Sequence, residues 1–193
     1  MSDLLFEVGD IRVHALQASG IGRLQAFFEA NPAYFIAVNG EVARPDEAHR
    51  EFFERPPPTM PFSAVTVLSF DDAAGRMQAM ATVLADLMAA GVWHIGLFVV
   101  DRALHGSGAA AAYYRGLERW VREQGASWLR LGVIEGNQPA ERFWAKMGYT
   151  ELRRRENQPY VRLTHTVRVL AKTLGERGLD EYLARVPRDR PES

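Results

Sequence analysis

The sequence predicts an α+β domain in which helices flank a sheet containing antiparallel pairs. Three observations predict it. Strand-like segments interleave with amphipathic helical ones along the chain. A polar turn, Asp71-Asp72-Ala73-Ala74-Gly75, closes a hairpin after a β-branched and aromatic run from Phe62 to Phe70. Near the end, Tyr149 to Arg155 and Val161 to Leu170 read as a closing antiparallel pair. The 193 residues fit one domain on a prior of about 150 residues per domain. Residues 1–172 are expected to form it, with a C-terminal helix and tail over 173–193.

Ile11 to Leu16 alternates apolar and polar residues, the period of a half-buried strand. Ser19 offers an N-cap to a helix carrying Ile21, Leu24, Phe27 and Phe28, which Asn31-Pro32 ends. A second helix starts at Pro45-Asp46-Glu47, turns Phe52 and Phe53 inward, and stops at Pro56-Pro57-Pro58, where no backbone donor remains. Arg76 to Met88 is ambiguous: its Met, Ala and Leu favour helix, yet it follows a hairpin signal and has Thr82-Val83 at its centre. Val92 to Val100 is apolar on both faces and reads as a buried strand. Ala109 to Gln124 is the strongest helix. Trp128 to Ile134 is a strand, and Gln138 to Lys146 a short helix with Gly148 behind it as the C-cap glycine. Glu176 to Arg185 is a small helix, followed by a Pro- and Arg-rich end read as a frayed tail.

Composition narrows the function classes. Hydrophobic residues at 47% and charged residues at 24% supply a core and exclude general disorder. A net charge of -1 argues against a nucleic-acid partner, and zero Cys removes thiol nucleophiles, disulfides and cysteine metal sites. The five histidines lack paired ligand spacing, so no metal is expected. The opening MSDLLFEVGD carries Asp3 and Glu7 where a secretory signal would carry Lys or Arg. The apolar run Ile95 to Val100 is far short of the roughly 20 residues that span a bilayer. A cytoplasmic protein without a membrane partner is expected.

One constellation carries chemistry. The buried strand Leu97-Phe98-Val99-Val100 leads through a polar turn into His105-Gly106-Ser107-Gly108-Ala109-Ala110, which opens the long helix. A helix N-terminus presents unpaired N–H groups and positive dipole, and glycines let an anion approach them. A P-loop is excluded because no Lys-Ser/Thr follows the glycines. A dinucleotide fingerprint is excluded because Ala111 stands at the third glycine position and the motif lies past mid-chain.

With that series on the page, LFVVDRALHGSGAA followed by YYRGLERWVREQGASWLRLGVIEGNQPAERFWAKMGY, the chain resembles the GNAT superfamily of N-acetyltransferases. The likeness is close over Val92 to Thr150. It covers strand, the pattern Arg/Gln-x-x-Gly-x-Gly/Ala, helix, strand, then Asn and a short helix ending in aromatics. The stretch NPAYFIAVNGEVARPDEAHREFF also resembles one GNAT subgroup.

The resemblance implies a mixed, mainly antiparallel central sheet flanked by helices, with Arg76 to Met88 a strand of it. It implies transfer of an acetyl group from acetyl-CoA to a primary amine of a small molecule or peptide by direct attack, and allows a homodimer. By the resemblance, the backbone of Gly106, Ser107, Gly108, Ala109 and Ala110 holds the pyrophosphate, with His105 at the first position of the cofactor-binding motif. Phe98, Val99 and Val100 splay from the neighbouring strand and pair with the pantetheine arm, while Asn137 and Phe143 lie beside that arm.

Two positions depart from the pattern. His105 stands where Arg or Gln is usual, so the turn loses a fixed charge near neutral pH, and cofactor binding is expected to weaken between pH 6 and 8. Trp144 stands where many members carry an acidic Tyr, and indole delivers no proton; it is expected to be a pocket wall. Tyr149 and Tyr113 are the nearby phenols, both inclined to core packing, with Tyr149 the candidate acid.

The strand where the family often carries a basic Glu reads Gly91-Val92-Trp93-His94-Ile95, which makes His94 the candidate base, with Asp86 and Glu41 behind it. Tyr34, Phe35, Phe52 and Phe53 lie where an acceptor pocket would favour an apolar or aromatic amine. The non-enzymatic alternative is an acyl-CoA-binding or regulatory module with little turnover, and a third reading is a longer acyl donor.

Overall fold

The computed structural model describes residues 4–191; Asp3 and the last two residues of the tail lie outside it. The chain forms, in order, β1 (Leu4–Val8), β2 (Ile11–Ala15), α1 (Ile21–Ala30), α2 (Pro32–Asn39), α3 (Glu47–Phe53), β3 (Ala64–Asp71), β4 (Met77–Ala85), β5 (Val92–Val100), α4 (Ala109–Glu123), β6 (Trp128–Ile134), α5 (Gln138–Lys146), β7 (Thr150–Pro159), β8 (Thr164–Thr173) and α6 (Leu179–Arg185). One eight-stranded sheet runs β1-β2-β3-β4-β5-β6-β8-β7. Every neighbouring pair is antiparallel except β5 and β6. The parallel pair needs a crossover, and α4 supplies it. The α+β architecture with a mixed, mainly antiparallel sheet is therefore present.

Helices cover both faces. α4 buries Tyr113, Tyr114, Gly116, Leu117, Trp120 and Val121, the i, i+3, i+4, i+7 stripe of an amphipathic helix. They meet Leu68, Phe70, Val83, Leu129 and Leu131 of the sheet. A Cβ at Gly116 would stand 2.3 Å from Val8 Cγ2, so α4 lies directly on β1. The opposite face is shared. α1 to α3 cover Val67, Met80, Leu97 and Val99, while α6 and the segment behind it cover Val92, Trp128 and Ala171.

β4 is a strand although its Met, Ala and Leu are helix formers. Seven of its nine residues are buried between the two helical layers, and packing on both faces outweighs propensity. α2 was not legible because Pro32 reads as a stop; it sits instead in the first turn, where its missing N–H is no loss. Ser19 lies in a 3-10 turn and makes no cap bond. Phe53 points outward at 49% exposure, and Ala48 is the residue α3 buries.

The C-terminal segment is not frayed. β8 continues through Thr173, and the chain then returns to bury Tyr182, Val186 and Asp189. Asp189, fully buried, accepts from Arg130 Nε at 2.6 Å and Nη2 at 3.1 Å, from the Tyr182 hydroxyl at 2.6 Å, and from Arg155 Nη2 at 2.9 Å. No helix among the described residues is long and apolar enough to cross a membrane.

Candidate active site

β5 and β6 stay in register for only four pairs, from Val92↔Trp128 to Ile95↔Leu131. Beyond Ile95 the two strands part, and a cleft opens between them. It is lined by Gly96, Leu97 and Phe98 on one side and by Leu131 to Ile134 on the other. Asn137, Ala140 and Trp144 of the α5 region and Tyr34, Val38 and Tyr160 from above complete the wall.

β5 keeps its partner β4 along this stretch, so its backbone groups divide by alternation. The Asp101 amide donates to the Gln78 carbonyl, which makes Met80↔Val99 a bonded pair and Ala79↔Val100 and Ala81↔Phe98 non-bonded ones. The amides and carbonyls of Phe98 and Val100 therefore face the cleft, while those of Val99 are turned to β4. The Val99 side chain packs beneath α1 to α3. His105 is tied to this edge, since its Nε2 meets the Val100 carbonyl at 3.1 Å and, as that oxygen only accepts, must be the donor.

At the end of the cleft the chain winds through a 3-10 turn into α4. The turn is held by Asn31, a buried side chain whose Oδ1 accepts the Arg102 amide at 2.9 Å. Gly106 and Gly108 adopt φ of +81° and +90°, a region β-carbons disfavour, and a Cβ on either would meet open space. The amides of His105 and Ser107 bond to carbonyls within the turn, and that of Ala109 bonds to the Ser107 hydroxyl. Those of Gly106, Gly108, Ala110 and Ala111 have no partner among the described residues. Four free donors at the positive end of a 15-residue helix suit an anion.

Asn137 caps α5 through Oδ1, which accepts the Ala140 amide at 3.4 Å, and it reaches the cleft wall. Phe143 stacks on Phe98 with ring centroids 6.2 Å apart, behind the lining that Trp144 provides. Trp144 is thus a wall of the cleft.

A second pocket lies on the α1–α3 face, between α3 with the loop that follows it and strands β3 to β5. Its polar lining is Arg50, Glu51, Glu54, Thr82 and His94; its apolar lining is Pro56, Met60, Val65, Leu84 and Leu87. Gly96 lines both cavities. It is the extra residue of a β-bulge, since Thr82 pairs Leu97 and Val83 pairs Ile95.

The two catalytic candidates fare differently from expectation. His94 reaches the second pocket, but Arg130 Nη1 stands 3.3 Å from its Nδ1. A guanidinium only donates, so Nδ1 is the acceptor and the proton of the neutral ring sits on Nε2. Burial first, and then the Arg130 charge, pull its pKa down to about 3. His94 therefore presents a donor to the pocket and is a poor proton acceptor.

Tyr149 lies away from both cavities. Its hydroxyl accepts from the Tyr114 hydroxyl at 3.2 Å inside an aromatic cluster with Trp144, and burial pushes both phenols up. Tyr113 packs on Phe70. Asp86 caps its own turn, accepting from the Gly91 amide at 2.7 Å and the Ser63 hydroxyl at 2.8 Å, while Glu41 pairs with Arg162.

Sequence reasoning missed Glu51, Tyr160 and the hydroxyl role of Tyr34. Tyr34 and Tyr160 are the phenols that line the cleft. The Tyr34 phenol is pushed up by burial, then by the charges of Glu51, Tyr160 and Glu47, and burial also raises Tyr160. Both are protonated at neutral pH. The one available signal was Glu47, Glu51 and Glu54 at helical spacing, along α3 and the residue that follows it. Among the described residues no group of three or more His, Asp or Glu is arranged to hold a metal ion.

Residues 24–149 match the model of the acetyltransferase (GNAT) family, which is well over half of the chain. No curated protein matches it. Solved structures that share its fold include the ribosomal-protein-S18-alanine N-acetyltransferase from Escherichia coli, 14% identical with TM-score 0.62, covering 86% of this chain and 95% of that one. Spermidine N-acetyltransferase from Vibrio cholerae, in complex with CoA and spermine, is 10% identical with TM-score 0.66, covering 86% and 96%. An acetyltransferase from Thermus thermophilus is 16% identical with TM-score 0.65, covering 87% and 99%. At these identities the likeness is one of fold.

Proposed function

The chain belongs to the GNAT acetyltransferase family, and from that premise we propose that it transfers an acetyl group from acetyl-CoA to a primary amine by direct attack. The observation that carries this reading is the meeting of two cavities at Gly96. One is a cleft with free backbone on its edge and free amides at its end; the other is a pocket with a carboxylate inside it. Acetyl-CoA supplies the activated acyl group.

The residues divide the work. The amides of Gly106, Gly108, Ala110 and Ala111 take the pyrophosphate. The free groups of Phe98 and the Val100 amide pair with the amides of the pantetheine arm as an added strand would, with Asn137 beside them. The acyl end then falls near Gly96, under Tyr34 and Tyr160, whose phenols stay protonated and can donate a hydrogen bond to a departing thiolate. Neighbours of this fold act on acceptors as different as a ribosomal-protein alanine and spermidine, so the fold alone does not select the amine.

Calorimetric titration with acetyl-CoA, followed by thiol release over an amine panel, tests the reading. Binding with release on an amine is the expected result. Absence of binding at high micromolar acetyl-CoA overturns it, and binding without release on any amine favours the acyl-CoA-binding module.

Gly108→Val is expected to weaken acetyl-CoA binding roughly tenfold or more. A β-branched residue cannot hold φ of +90° without strain of about 1–3 kcal/mol, and each 1.4 kcal/mol that the turn fails to recover is about tenfold in Kd. An unchanged Kd in the same titration would remove the turn from the binding site.

A further inference from the structure

Two glutamates of α3, Glu47 and Glu51, and Glu54 just past its end stand at i, i+4, i+7 spacing, and only one of them is uncommitted. Glu47 accepts from Arg44 Nε at 2.7 Å, and Glu54 pairs with Arg50 Nη1 at 3.0 Å. Glu51 makes no ion pair among the described residues and is turned into the pocket, toward the Thr82 hydroxyl. Thr82 is 4% exposed, and its Oγ1 is buried with no partner that closes a hydrogen bond. Across the pocket stands His94 with Nε2–H outward, and Met60, Val65, Leu84 and Leu87 form an apolar wall. The pocket therefore holds Glu51 as its unpaired carboxylate, the Arg50–Glu54 ion pair, two neutral donors and a hydrocarbon lining, and it shares Gly96 with the cleft.

We propose that this pocket binds the acceptor as a small monoamine with an apolar body, its ammonium against Glu51, and that Glu51 takes the proton that frees the nitrogen for attack. This rests on the acetyl-transfer reading and goes beyond it by naming base and substrate class. The ammonium gives one proton to the Glu51 carboxylate. The freed lone pair forms the C–N bond to the thioester carbonyl carbon as the C–S bond breaks. The second N–H proton leaves to the departing thiolate, and Glu51 passes its proton to solvent, so the products are amide, thiol and one proton. A diamine brings a second charge into a pocket whose other carboxylate, Glu54, is already paired with Arg50 and whose remaining wall is hydrocarbon, and burying an unpaired charge is costly.

Burial raises the Glu51 carboxyl, the Thr82 hydroxyl opposes this, and Glu47 and Glu54 add to it. A base with an elevated pKa sits closer to the working pH. Around it stand Glu47 and Arg50 of α3, Glu54 just past its end, Tyr34 of α2, Thr82 of β4 and neutral His94 of β5. Below its pKa Glu51 carries a proton and cannot accept one, so kcat/KM falls on the acid side.

The test compares wild type with Glu51→Gln. The acceptors are a phenylalkyl monoamine, a straight-chain diamine of similar length, an alanine-terminated peptide and an alkoxyamine that is already neutral at pH 7. Wild type is expected to prefer the monoamine in kcat/KM. Glu51→Gln should bind acetyl-CoA as wild type does, lose about 10²- to 10⁴-fold with the monoamine together with the acid limb of the pH profile, and lose far less with the alkoxyamine. Equal activity of the two proteins, or equal losses with alkoxyamine and monoamine, overturns the assignment of Glu51. Preference for the diamine or the peptide overturns the substrate class. Failure of wild type to bind acetyl-CoA overturns the underlying reading itself, a result distinct from a loss confined to Glu51→Gln.

Discussion

Replacing Asp189 by Asn is expected to destabilise the protein by about 3–5 kcal/mol, the usual cost of removing one partner of a buried ion pair. Near two hundred residues this corresponds to a fall of roughly 6–20 °C in Tm. Asp189 is fully buried, and its carboxylate is the common acceptor for Arg130, Tyr182 and Arg155. The neutral amide would leave the Arg130 charge, itself 5% exposed, inside the sheet layer without a counter-ion. The double variant Arg130→Met with Asp189→Leu should recover only the part of the loss that comes from the stranded Arg130 charge, because the Tyr182 hydroxyl and Arg155 still lose their acceptor. Thermal unfolding measured by circular dichroism checks both. A single-variant Tm within a degree or two of wild type would mean that the C-terminal segment contributes little to holding the sheet.

The same pair sets an acid dependence. Burial pushes the Asp189 carboxyl up, but the bonds from Arg130 and Tyr182 and the nearby positive charges outweigh it and hold it below the usual carboxylate range. A group whose folded pKa is depressed stabilises the fold fully above its unfolded pKa of about 3.9, and loses that contribution as pH falls through the folded value. The gap in Tm between wild type and Asp189→Asn should therefore be widest at neutral pH and narrow below about pH 4. The pair also reaches the pocket: Arg130 is the donor that fixes the ring of His94, so the segment that reads as a solvated tail orients one wall of the candidate acceptor site.

What the sequence reveals here follows from how local each signal is. β5, β6 and α5 could be read directly, because a two-sided apolar run and a short helix closed by Gly148 are written in adjacent residues. The glycine turn was legible for the same reason, although the positive φ of Gly106 and Gly108 appears only in the structure. The roles of side chains were not. His94 on a strand looks like a base until Arg130, thirty-six residues away, is placed beside it. Glu47, Glu51 and Glu54 form a readable stripe, but only the positions of Arg44 and Arg50 show which carboxylate stays free. Asp189 sits among prolines and arginines that suggest solvent, and its burial depends on an arginine in the sheet. β4 failed on propensity because a strand packed on both faces answers to its neighbours rather than to its own residues.

Gly96→Val is expected to lower kcat/KM for the amine by about 10²-fold while leaving the affinity for acetyl-CoA within a few-fold of wild type, a loss of the size that displacement of a reacting group by about 1 Å produces. Gly96 is the bulged residue of β5 and belongs to the walls of both the cleft and the pocket. Its Cβ would stand 3.5 Å from Leu84 Cδ1 and 3.8 Å from the Thr82 carbonyl, ordinary contacts, and its φ is not in the left-handed region. Alanine should therefore fold and retain most activity. Valine adds two methyl groups at the residue the cleft and the pocket share, where on the proposed arrangement an amine held at Glu51 meets the acyl carbon. The free amides of the turn and the edge groups of Phe98 and Val100 lie further along the cleft and keep their contacts. Steady-state kinetics on the three proteins, with acetyl-CoA titrations alongside, separate the effects. A kcat/KM for Gly96→Val equal to wild type would show that the acceptor does not approach through the bulge, and a matching loss of acetyl-CoA affinity would place the defect in donor binding instead.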